Sequence, residues 1–182
     1  METLFFYIFL FIHLVSLITG FGAVIVIDTF GLLWLLKVKG VTLERVNGVA
    51  QITQRLIWLG WSGLVFSGIF LITMKGYVDH LTKIKLFFVV MIGLNGVFLH
   101  FIKKSMEALG NPNDVPKSIM FRIGLASAIS QLGWWGAFTI GFVHRHWRHN
   151  IPWPEQWPYV ILSIFLLIGV VAIVGERMTR KK

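Results

Sequence analysis

The side chains best able to do chemistry in this sequence are six histidines and a few cations set among apolar runs. There is no cysteine, which excludes disulfides, thiolate metal sites and cysteine-linked haem. His13 lies inside the first apolar run, and Ser16 and Gly20 follow it at i+3 and i+7, on the same helix face. At 1.5 Å per residue, about ten residues into the helix places His13 roughly 15 Å deep, too far to reach water. An ionisable group in lipid is costly and needs a partner or a task. Two readings stand side by side: a histidine hydrogen-bonded to a neighbouring helix, or a metal ligand, haem ligand or proton carrier.

Other positions carry the same double reading. His100 shares a face with Gly93 and Gly96, which leaves room for a flat cofactor or for a closely packed helix. Lys85 enters the third apolar run as either a snorkelling lysine or a site cation. Arg55 opens the second run. It could pair with Asp28, hold an anionic group such as a propionate, or simply mark the membrane interface. The run His144-Arg145-His146-Trp147-Arg148-His149 has spacing that suits zinc or copper on His144, His146 and His149. Its two arginines disfavour a cation and favour a solvated loop at the lipid headgroups. No nucleophile–base pair, phosphate loop or zincin motif appears, so hydrolysis has no visible machinery.

The elements that must position these residues are transmembrane helices. The chain has 182 residues, 56% of them hydrophobic, with a mean hydropathy of +0.76. A spanning helix needs about 20 mostly apolar residues. The sequence predicts an all-α integral membrane bundle, a single transmembrane domain over 1–182 with approximate spans at 4–36, 56–74, 86–102, 119–143 and 159–174. The first four are expected to form the core, with the fifth peripheral. The first run exceeds one span, so it tilts or projects, and Gly20 and Gly22 admit a bend. It continues past a signal-peptide core without a small-residue cleavage site and reads as the first anchor. The breaker-rich stretch 109–116 separates the third and fourth runs, and Gly133, Ala137 and Gly141 form a small-residue packing ridge on the fourth.

The net charge of +9 is distributed as topology requires. Twelve basic residues fall in the first and third connections and the tail, and five in the second and fourth connections. With five spans this predicts an outside N-terminus and a cytoplasmic C-terminus in a prokaryotic plasma membrane. The charge therefore implies no nucleic-acid partner. Trp147, Trp153, Trp157 and Tyr159 read as an aromatic belt at the outer surface.

The stretch Ile12-His13-Leu14-Val15 followed by Gly20-Phe21-Gly22, then Gln54-Arg55-Leu56, then Lys83-Ile84-Lys85-Leu86 and Lys103-Lys104, resembles the membrane-embedded, haem-binding protoporphyrinogen oxidase family of bacteria. The order and spacing agree over about residues 8 to 107, and the copper-resistance D family is similar more loosely. The resemblance implies an oxidoreductase with haem b in its bundle and a porphyrin-type substrate. His13 would be the haem ligand or catalytic histidine. Arg55 and Lys85 would bind propionates or orient the substrate, with Lys85 also in a catalytic role. The family's second histidine corresponds to Gly96 here, and His100 stands one turn later as a second haem-iron ligand. Asp28 occupies a position where the family tends to be basic. A weaker outer site would use His80 or His144.

Besides a haem-binding redox protein, two further readings follow from the residues. One is a transporter of copper or another small cation, captured at the histidine-rich loop and relayed by His13 and Asp28. The other is a structural or assembly subunit. In each case the bilayer is the first partner, and a homo-oligomer or a partner membrane subunit is a further expectation.

Overall fold

The computed structural model describes residues 2–107, 115–147 and 157–180. Five helices and no strand occur among them: α1 (Glu2–Leu35), α2 (Leu43–Lys75), α3 (His80–Glu107), α4 (Lys117–His146) and α5 (Trp157–Arg180). The breaker-rich stretch at 109–114 lies outside the described residues, as do Trp153 and the end of the tail. By length and composition, Thr3–Leu35, Leu43–Lys75, His80–Ser105 and Pro158–Thr179 are each able to cross a membrane. α4 has comparable length but is more polar, with Ser127, Ser130 and Gln131 in mid-helix. Leu4, Phe11, Ile18, Leu59, Leu94 and Leu167 are among the many large apolar side chains that remain exposed. Lipid hydrocarbon is the solvent such faces suit.

The chain divides into two compact units, Met1–Val78 and Asp79–Lys182. In the first, α1 is one continuous helix through Gly20 and Gly22. Its 34 residues make a rod of about 51 Å, against a hydrocarbon core of about 30 Å. The chain reverses through Lys37 and Gly40, both at positive φ (55° and 87°). Arg45 Nη1 donates to the Gly40 carbonyl at 2.6 Å and holds that reversal. Thr42 caps α2, its Oγ1 accepting from Arg45 N–H. The helix therefore begins well before the apolar run expected at 56–74, and residues 43–55 are its first turns. Gly76 ends α2 in the left-handed conformation, φ +76°, its N–H donating to Ile72 and Thr73 carbonyls.

In the second unit, Asp79 Oδ1 accepts from Thr82 N–H (2.8 Å) and Thr82 Oγ1–H (2.6 Å) at the start of α3. α3 and α4 run antiparallel around Phe88, Met91 and Ala137. The ridge of small residues on α4 meets α3, Gly133 receiving Ile92 and Met91 and Ala137 packing in the core; Gly136, beside the ridge, receives the Phe88 ring. Asn95, buried, donates from Nδ2 to the Ala126 carbonyl at 2.8 Å, a polar tie inside the apolar contact. α5 lies against α4 and touches α3 through Phe165 and Phe87.

Candidate functional site

In the first unit, α1 and α2 cross at glycine. A Cβ on Gly60 would fall 2.5 Å from the Cα and N of Gly20 and 2.7 Å from the Ser16 carbonyl oxygen, so the two backbones touch. One on Gly63 would strike the Ser16 side chain. The face predicted for α1 is therefore the contact face. His13 stands one turn before Ser16, and a Cβ on Gly68 would lie 3.8 Å from its Cε1.

His13 Nδ1 lies 2.9 Å from Ser67 Oγ. That oxygen is fully buried and 2.6 Å from the Gly63 carbonyl, which only accepts. A hydroxyl has one proton. If it goes to Gly63, Ser67 accepts from His13 Nδ1–H, and the lone pair of the imidazole sits on Nε2. The tautomer is thus assigned from the network. Beyond this pair, Phe9 stacks on Phe70 with centroids 4.3 Å apart and planes 7° from parallel.

Arg55 does not form the ion pair with Asp28 that the sequence admits. Its side chain is exposed and has no ionic partner among the described residues. The reason is helical phase. Thr53 is the buried residue at this level of α2, and two residues further the side chain has turned about 200° away.

In the second unit, chemistry collects where α3 begins and α4 ends. His144 Nε2 lies 2.8 Å from Asp79 Oδ2, with the two side chains 27% and 17% exposed. Asp79 thus caps α3 with one oxygen and ties α4 with the other. Lys85, half-buried, lays its ammonium against Gly141, where a Cβ would be 3.6 Å from Nζ. The last member of the ridge is a seat for this cation rather than a bare packing position. His80 is exposed at the start of α3. His100 is also exposed, its ring edge-on to that of Phe101.

The histidine-rich run is not gathered around one point. His144 turns to Asp79, whereas His146 stacks on Phe142 (4.4 Å) and its Nδ1 lies 3.0 Å from the Phe142 carbonyl. Two residues apart on a helix, they point to different sides. His149 lies outside the described residues. Among those described, no three His, Cys, Asp or Glu side chains are arranged to hold a metal ion. His13 belongs to the first unit and His100 to the second, and each is placed only within its own.

Sequence reasoning missed two polar pairs. One is Asp79–His144. An acid before an apolar run, followed by Thr82, is a helix-start signal that would have flagged Asp79. The other is Arg122, counted as a loop charge, which lies in α4 and forms a bidentate pair with Glu176 of α5 (Nη2–Oε1 2.6 Å, Nε–Oε2 3.1 Å). Opposite charges near facing ends of consecutive spans were the available signal. The chain matches no family model, no curated protein and no solved structure.

Proposed function

We propose that this chain binds a b-type haem through His13 and serves a redox reaction in the membrane. The observation that carries this reading is the His13–Ser67–Gly63 chain of hydrogen bonds. A histidine that ligates a metal usually gives its other ring N–H to a fixed acceptor, which sets tautomer and ring orientation. Ser67 provides that acceptor, and the lone pair on Nε2 is the donor haem iron takes from histidine. His13 would supply one ligand to the group. The α1–α2 crossing itself is closed by Gly20 and Gly60, so a porphyrin would lie outside the contact, not within it.

Bound there, haem would supply a one-electron redox centre. The protein's own residues would hold and orient. The guanidinium of Arg55, on α2 of the same unit, is suited to a propionate or to an acidic porphyrin-type substrate. An outside N-terminus and cytoplasmic C-terminus complete the reading, supported by the twelve-to-five division of basic residues.

The test is an absorption spectrum of protein purified in mild detergent from a haem-replete host, oxidised and then dithionite-reduced. Wild type should show a Soret band and a sharp reduced α band, both absent in His13→Ala. Ser67→Ala should keep the ligand but lose about 10- to 100-fold in haem affinity, the usual effect of removing such a support. Colourless wild type, or a His13→Ala protein with unaltered bands, would sink the proposal.

A further inference from the structure

We infer that the end of the second unit where α3 and α5 finish and α4 begins is a binding site for one anionic phospholipid. A groove of about 510 Å³ runs there. Its walls are Phe98 of α3, Phe121 and Leu125 of α4, and Ala172 and Ile173 of α5. Phe98 and the two α5 residues belong to segments apolar enough to lie in a bilayer. The groove exists because Gly175 lets the Phe121 ring rest on the α5 backbone, where any Cβ would collide with it.

The rim is polar and carries a surplus of positive charge. Arg122, Glu176 and Arg177 line it. Glu176 is held by Arg122 in a bidentate bond. Arg177 is exposed and has no ionic partner among the described residues. Lys104, in the last turn of α3, and Lys117, the first residue of α4, add two more exposed cations at the same end, likewise without an ionic partner among the described residues.

An apolar trough within the spans, opening on a cationic rim at their ends, specifies an amphiphile. A soluble anion would meet only the rim, and a neutral lipid would meet only the trough. Basic pockets between transmembrane helices are a recognised setting for anionic headgroups. Acyl chain and phosphate together satisfy both parts. The inference does not depend on haem.

The experiment is native mass spectrometry of the full chain in mild detergent, titrated with dioleoyl phosphatidylglycerol or dioleoyl phosphatidylcholine, and with soluble glycerol phosphate. Wild type should retain one phosphatidylglycerol at least fivefold more readily than phosphatidylcholine. Arg177→Gln should lower that preference about fivefold, the effect of one basic residue near an anionic headgroup. Ala172→Trp, which fills the trough, should abolish retention of both lipids, and Arg145→Gln at the opposite end of α4 should change nothing. Equal retention of the two lipids by wild type would overturn the inference. So would a preference that survives Arg177→Gln. Glycerol phosphate binding as tightly as the lipid would also overturn it, since the site would then be one for free phosphate.

Discussion

The α1–α2 pair and the α3–α4 pair are both antiparallel, yet they close on different materials. α1 and α2 meet backbone to backbone at Gly20 and Gly60, with the His13–Ser67 hydrogen bond beside the crossing. α3 and α4 meet through large side chains, Phe88 and Ile92, seated in glycine hollows, with Asn95 and Asp79 as polar ties. Lipid tails are as apolar as leucine, so burial drives neither contact. Close packing and interhelical hydrogen bonds must do it. The first pair gains packing by removing side chains, the second by interlocking them. A rigid crossing tolerates no intrusion, whereas an interlocked one can shift a ring.

Substitutions that intrude should separate the two designs most sharply. Gly60→Val places new atoms against backbone that cannot move aside. It should split the α1–α2 pair and cost upward of about 3 kcal/mol, the high end for overpacking. Loss of monodisperse protein on size exclusion and a collapsed thermal transition would register it. Gly22→Val is the control. It lies on the same helix pair but has open space around it, and should behave as wild type.

Gly136→Ala should cost less, about 1–2 kcal/mol, because the obstacle is the Phe88 ring rather than a backbone. Trimming the obstacle with Phe88→Leu in the same chain should recover part of the loss. No rescue of that kind exists for Gly60. Equal damage at Gly60 and Gly136, or a rescue at neither, would dissolve the contrast.

The smallest stability effect belongs to the bond that matters most to the proposed chemistry. An interhelical hydrogen bond within a membrane is worth about 0.6 kcal/mol on average, so Ser67→Ala should barely move the thermal midpoint while weakening haem retention. A large stability loss with unchanged haem would assign the pair to packing alone.

Much of the helical scaffold was legible in the residues. Hydropathy and breakers locate five helices, i, i+3, i+7 spacing identifies the His13–Ser16–Gly20 face, and i, i+4, i+8 spacing the Gly133–Ala137–Gly141 ridge. What spacing along one helix cannot supply is the register between two. Ser67 is 54 positions from His13, and Asp79 meets His144 only because α3 and α4 pair in one particular offset. The same limit explains Arg55. Its type invited an ion pair, but the phase of α2 against α1 turned it outward. Nothing local to Glu176 reveals that α5 brings it alongside Arg122.

The contact between Gly20 and Gly60 also has a consequence for descent. With no side chain between the helices, a methyl group at Gly60 would fall on the Gly20 backbone unless α1 withdraws, so single steps of mutation are blocked there. The outward residues of the same turns, such as Ile18 and Leu59, face no such bar. In any set of descendants that keeps this hairpin, the lipid-facing surface should drift freely through apolar types around a Gly60 that stays fixed.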